Sequence, residues 1–194
     1  MSYNPVESTE PMKEVIKPID YFRPAQIEQL REGCVSLRDR AIIEVLRSTG
    51  ARVGEIPQIN IDHVDWATGD ITIMSEKSYK YRLLYLDEVA RYHLKKYLDS
   101  RTDDNEALFV WDKAPYNRLK KSGIRNAMKA VGKDMDCKVY PHKLRKTLGV
   151  NLKDKGTDIG IIQEVMGHAN PTVTSRYYAQ ISPEAMRDVR RRTA

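Results

Sequence analysis

The sequence predicts an α+β fold, mainly helical, with one small antiparallel sheet. Three observations lead there. Apolar residues recur at helical spacing in several separate stretches, each bounded by a capping residue or a glycine. One region alone, on either side of Thr68-Gly69-Asp70, alternates apolar and polar residues as a half-buried strand does. At 194 residues the chain is one domain or a domain plus a tail, long enough to bury a proper core.

Residues 1–20 are polar, hold three prolines and lack periodicity, so they are expected to be a tail or linker. Pro24 suits a first helical position, and Ile27, Leu30 and Cys34 follow at helical spacing to a stop near Gly33. A second helix is expected from about Leu37 to Ser48, with Leu37, Ala41, Ile42, Val45 and Leu46 as its apolar stripe and Thr49-Gly50 as its end. Arg52 and Glu55, three apart, are expected to share a helix face. Ile59 to Asp62 and Val64 to Met74 suggest strands, with Ile71 and Ile73 inward. Arg82 to Leu86 is the returning strand, and Ser75 to Tyr81 the hairpin tip. Asp87 caps a helix to about Tyr97. His93 and His63 are expected to be packed or surface residues.

Arg101 to Glu106 is a polar loop, and Leu108-Phe-Val-Trp is a short buried run. From Tyr116 to about Val131 a basic helix is expected. Leu119, Ile124, Ala127, Met128 and Val131 would point inward, and Arg118, Lys120, Lys121, Arg125 and Lys129 outward. His142 to about Lys155 is the next helix, anchored by Leu144, Leu148 and Leu152 and stopped by Gly156. His142 and Arg145 fall on another face of it. Thr157 is expected to cap the following helix, closed by Gly167. Asn170-Pro171 starts a helix bearing Tyr177 and Tyr178, and Pro183 opens the last one. The division predicted is a tail over 1–20, the main domain over 21–181, and a C-terminal helix or tail over 182–194.

Composition narrows the functions. No run of eighteen apolar residues exists, so no membrane span is expected, and the acidic N-terminus is no secretory signal. Cys34 and Cys137 have neither metal-ligand spacing nor a disulfide framework, which fits a reducing cytoplasm. The lack of a Gly-x-x-x-x-Gly-Lys motif argues against nucleotide hydrolysis. The net charge of +6 is unevenly placed. Residues 1–111 hold 15 Lys/Arg against 19 Asp/Glu, whereas residues 112–194 hold 18 against 8. A basic half carrying Pro-His-Lys-Leu-Arg-Lys points to a polyanion, most simply double-stranded DNA.

Histidines and arginines near a tyrosine suit attack on a phosphodiester by a phenol. His142 and Arg145 form His-x-x-Arg, Gly167 and His168 form Gly-His, and two tyrosines follow. In this order the sequence resembles the catalytic domains of the tyrosine recombinase, or phage integrase, family. Thr49-Gly50-x-Arg52-x-x-Glu55 resembles the family's first active-site arginine motif, and Lys77-x-x-Lys80-x-Arg82 its hairpin lysine. The resemblance runs from about Phe22 to Ile181.

The resemblance implies a mechanism. Arg52 and Arg145 would grip the non-bridging oxygens of a five-coordinate phosphorus, with Glu55 holding the Arg52 fork. His168 would donate to the phosphate, and His142 would help take the tyrosine's proton. Lys77, or in its place Lys80, would protonate the departing 5′ oxygen. The intermediate would be a 3′-phosphotyrosine, with neither metal nor cofactor needed. Tyr177 and Tyr178, nine and ten residues past His168, are both candidates for the nucleophile. About 100° of helix separates them, and Tyr178-Ala-Gln-Ile favours Tyr178. Lys80, Arg82, Lys143, Lys146 and Arg176 are expected to contact DNA. Lys146 stands where the family has histidine. The family's N-terminal core-binding domain has no counterpart here, which implies an excised catalytic domain or a reduced member, with weak and salt-sensitive DNA affinity. A tetramer on DNA is implied as well, the last helix docking on a neighbouring subunit or packing on its own domain. The other functions considered are a type IB topoisomerase-like relaxase and a non-catalytic DNA-binding regulator.

Overall fold

A computed structural model describes residues 19–74 and 81–167. Its elements are α1 (Pro24–Glu32), α2 (Leu37–Thr49), β1 (Asp70–Met74), β2 (Tyr81–Tyr85), α3 (Glu88–Asp99), α4 (Lys121–Val131), α5 (Pro141–Asp154) and α6 (Ile159–Met166). The mainly helical fold with a small antiparallel sheet is as the sequence predicts. Helix α2 lies at the centre and touches α1, α3, α4, α5 and β2. Its sequence explains that place, because Ala41, Ile42, Ile43, Val45 and Leu46 are buried on more than one face. Each large apolar side chain removed from water there contributes about 1.5–3 kcal/mol.

The helix ends follow local chemistry. Ser36 caps α2 by accepting from the Asp39 amide at 3.0 Å, and Gly50 ends it at φ 57°, a left-handed turn that costs glycine little. Asp87 caps α3 by accepting from the Ala90 amide at 2.9 Å. The strands pair from Asp70↔Tyr85 to Met74↔Tyr81, with Ile73 opposite Arg82. Ile71, Ile73 and Leu84 face the core, while Leu83 and the two tyrosines of β2 are exposed.

Several expectations are corrected. Arg52 to Glu55 is a turn running into a short 3-10 segment at Ile56–Gln58, not an α-helix. Ile59 to Asp62 makes a single bridge, Asn60 to Ala107, before a 3-10 turn at Ile61–His63. The helix expected from Tyr116 begins at Lys121. The residues before it bond backward instead: the Trp111 amide donates to Asn117 O at 2.9 Å and the Leu119 amide to Phe109 O at 2.8 Å. Arg118, expected outward, folds in and donates to Asn60 Oδ1 at 2.6 Å. Trp111 is not buried like Leu108 to Val110 but exposed. Asp158 rather than Thr157 caps α6, accepting from the Gly160 amide at 2.7 Å.

The segment at the expected tail boundary is docked on α5. The Phe22 amide donates to Thr147 Oγ1 at 2.9 Å, the Tyr140 hydroxyl donates to Asp20 at 2.8 Å, and Lys143 pairs with Asp20 at 2.8 Å. Ile19 and Tyr21 pack beside Val150, Ile162 and Met166. The expected tail before residue 19 and the C-terminal helix over 182–194 lie outside the described residues.

Glu44 of α2 is fully buried and accepts from Arg31 at 2.7 Å, Arg40 at 3.0 Å and Arg47 at 2.6 Å. Burial alone would raise its pKa; Arg31 and Arg47 outweigh burial and hold it below the ordinary 4.5. On acidification the unfolded chain takes up this proton first. The stabilisation is therefore complete above about pH 4.5 and is lost as pH falls through the lower folded value. Glu44→Gln is expected to cost about 3 kcal/mol at pH 7, measured by urea denaturation, because it removes the buried anion shared by three clustered guanidinium groups. The difference between variant and wild type should shrink below pH 4.5.

Candidate active site

Helix α6 ends at Gly167 with φ 56°, and the last turn of any helix leaves carbonyls without partners. Three consecutive ones are taken here by three arginines from distant parts of the chain. Arg82 of β2 donates to Val165 O at 2.7 Å. Arg145 of α5 donates to Met166 O, and through its other terminal nitrogen to Gly50 O at 2.5 Å. Arg52 donates to Gly167 O at 2.6 Å. The helix dipole favours cations at this end.

Glu55 ties two of the arginines together. It accepts from the Arg52 amide at 2.6 Å and from its guanidinium at 2.9 Å. It also accepts from Arg82 Nη1 through both oxygens, at 3.0 and 2.8 Å. Glu55 is buried, which alone would raise its pKa; the charge of Arg82 and the bonds from Arg52 outweigh this and lower it. The local geometry follows from the sequence. The turn at Arg52 to Glu55 closes with the Glu55 amide on Arg52 O at 2.8 Å, which brings the carboxylate under its own turn. The left-handed turn at Gly50 lays that carbonyl open to Arg145.

The arginines differ in exposure. The Arg145 residue is 2 % exposed, the Arg82 side chain 9 % and the Arg52 side chain 33 %, so Arg52 is the most solvent-accessible of the three. His142, one turn from Arg145 on α5, is an exposed residue whose ring is partly desolvated. Its pKa lies below the ordinary 6.5, first from partial desolvation and then from the positive charges of Lys146, Arg145 and Arg52. These cations oppose the imidazolium, and the lowered pKa keeps the ring in the neutral form that can accept a proton at neutral pH.

Two side chains expected to contact DNA point elsewhere. Lys143 is buried, pairs with Asp20 and lies over the Phe22 ring at 4.6 Å. It faces the side of α5 that carries the incoming N-terminal segment. Arg82 is turned inward because Glu55 and Val165 O take its donors. Lys146 is half-buried. Lys77, Lys80, His168, Arg176, Tyr177 and Tyr178 lie outside the described residues. Arg52, Glu55, His142 and Arg145 are brought to one place, beside the residue that precedes His168. Sequence reasoning missed the grip of Arg82 and the Lys143–Asp20 pair. Arg82 was visible only as the end of the Lys-x-x-Lys-x-Arg pattern, and Asp20 as one acid in a polar stretch. Among the described residues no group of three His, Cys, Asp or Glu side chains is placed to hold a metal ion, and no helix is long and apolar enough to cross a membrane.

Comparison with known proteins gives a consistent picture. The model of the phage integrase family matches residues 20–184. The tyrosine recombinase XerA of Pyrococcus furiosus is 33 % identical over 142 residues, covering 73 % of this chain and 50 % of the relative. A crystal structure of XerA recombinase superposes with a TM-score of 0.79 at 31 % identity, covering 91 % of this chain and 66 % of the other. The Tn1549 transposon integrase, solved with circular intermediate DNA, shares the fold at a TM-score of 0.70 and 19 % identity, over 92 % and 68 % of the two chains. The chain spans about half the length of the XerA relatives that it matches.

The Glu55 bridge is open to a direct test. A double-mutant cycle between Glu55→Gln and Arg82→Gln, followed by urea denaturation, is expected to give a coupling of about 2 kcal/mol. A coupling near zero would mean that the bidentate contact contributes nothing.

Proposed function

The chain belongs to the phage integrase family, and from that premise we propose that it is the catalytic portion of a site-specific DNA recombinase, cleaving and rejoining strands through a 3′-phosphotyrosine. The observation that carries this reading is the convergence of Arg52 and Arg145 on the consecutive carbonyls of Gly167 and Met166, with His142 feeling both charges. His168 is the next residue. No nuclease-like acidic cluster is needed for such chemistry, because guanidinium groups supply fixed positive charge where negative charge develops.

In this mechanism Arg52, the most exposed of the three, receives a non-bridging oxygen of the scissile phosphate. Arg145 reaches the phosphate by exchanging a carbonyl for the second oxygen, and its hold on Gly50 O fixes the direction of its fork. Glu55 keeps the Arg52 fork in one rotamer. The neutral ring of His142 takes the phenol proton as Tyr178, or in its place Tyr177, attacks phosphorus. His168 donates to the phosphate, and Lys77 protonates the leaving 5′ oxygen. The bond energy is kept in the phosphotyrosine, so rejoining needs no nucleotide triphosphate. The partner is double-stranded DNA, the assembly a tetramer on it, and the compartment the cytoplasm. Lys80, Lys146 and Arg176 contact the backbone.

The test is covalent capture from a pool of nicked suicide duplexes of randomised sequence. A protein–DNA adduct stable to detergent is expected, and peptide mapping should place it on Tyr178. Tyr178→Phe should abolish the adduct. No adduct with the wild type, or an adduct surviving both Tyr178→Phe and Tyr177→Phe, would remove the recombinase reading. Exchanged flanks among the rejoined products separate it from a relaxase. The cleavage rate should rise with pH along a limb whose midpoint lies below 6.5, because His142 works when neutral; His142→Gln should flatten that limb.

A further inference from the structure

Arg82 entered the sequence reading as a DNA contact, and its surroundings give it another task. Both oxygens of Glu55 lie on its Nη1, at 3.0 and 2.8 Å, and Val165 O lies on its Nη2 at 2.7 Å. Its Nε is buried without a hydrogen-bond partner and packs against the end of α6. A Cβ on Gly167 would come within 2.8 Å of that nitrogen, at a φ of 56° that L side chains rarely adopt. Glycine is thus favoured at position 167 by the turn, and a Cβ there would push against Arg82. The same carboxylate that holds Arg82 holds Arg52, and Arg52 donates to the carbonyl of Gly167. A closed circuit results: Arg82, Glu55, Arg52, Gly167 and back through the last turn of α6 to Val165.

We infer that Arg82 is a positioning residue for strand cleavage, acting through Glu55 and the α6 terminus to fix the Arg52 fork and the point at which the chain leaves for His168. This rests on the recombinase reading for the reaction, though not for the contacts. A lysine at this position supplies one charge but cannot span Glu55 and a carbonyl with a planar fork. An error of about 1 Å in such a site costs about 100-fold in rate. The residue acts at a distance from phosphate, so its loss should leave the count of DNA contacts alone.

The experiment compares wild type, Arg82→Gln and Arg82→Lys on a duplex recovered from the covalent-capture pool. At saturating DNA, Arg82→Gln is expected to slow covalent-complex formation about 100-fold with the final amplitude unchanged. The DNA concentration at half-saturation and the slope of log affinity against log salt should match wild type. Arg82→Lys should fall between the two. Amide exchange over Gln163 to Gly167 should quicken about tenfold in Arg82→Gln and stay at the wild-type rate in α3. A purely structural role would lower the amplitude through a smaller folded fraction and leave the rate alone, which would overturn the proposal. A salt slope smaller by about one would make Arg82 a phosphate contact and would overturn it too. An unchanged rate or unchanged exchange has the same consequence. If Arg82→Gln does not fold at the assay temperature, Arg82→Lys carries the same comparison. If the wild type forms no adduct, the recombinase reading fails; the exchange measurement, which needs no catalysis, still decides whether Arg82 holds the turn.

Discussion

The end of a helix is electrically unfinished, and at α6 this is resolved by charge brought from elsewhere. Carbonyls at Val165, Met166 and Gly167 each accept from an arginine supplied by a different part of the chain. Hydrogen bonds from charged donors contribute about 1.5–3 kcal/mol each, more than neutral ones. Like charges so close repel: the Arg82 pKa is lowered, first by burial and further by the charge of Arg52. Glu55 is the counterweight, since a single buried carboxylate meets both. The rest of the fold serves this junction. Helix α2 delivers Gly50, α5 delivers Arg145, and the sheet delivers Arg82.

Most of a site assembled in this way is set before any substrate arrives; what remains is for Arg145 to trade a carbonyl for phosphate. Arg52 and His142 are the exposed members, while Arg145, Arg82 and Glu55 lie behind them, with their terminal nitrogens and carboxylate oxygens hydrogen-bonded. Such backing locks rotamers and spares the reorganisation that a flexible cation would need at the moment of reaction. Lys143 contributes from the opposite side of α5, where its pair with Asp20 binds the entering chain to the helix that bears His142 and Arg145.

Much of the helical framework was legible because caps and stops are local. Asp87, Gly50 and Gly167 declare themselves by residue type alone. The boundary at Tyr116 was not legible: the apolar and basic pattern continues smoothly, and only pairing with Phe109 and Trp111 shows that the stretch before Lys121 is extended. Thr157 and Asp158 are adjacent and both capable of capping, so the choice depends on where the backbone turns. At the site, Arg52 and Glu55 were visible as a spacing, although a turn rather than a helix joins them. Arg82 and Lys143 were visible only as positive charges. A sequence gives the sign of a charge but not the direction of its side chain, and their partners lie 27 residues away at Glu55 and far upstream at Asp20. The residues after Gly167, with both tyrosines, lie outside what the structure describes.

Among the described residues the ladder between β1 and β2 runs from Asp70 and Tyr85 to Met74 and Tyr81, and Arg82 pairs opposite Ile73. The side chain that steadies the arginine junction is therefore anchored in the paired strands, while Lys77 and Lys80 belong to the six-residue connection between them. A sequence change among those six residues therefore leaves the Ile73–Arg82 rung with its own backbone partners.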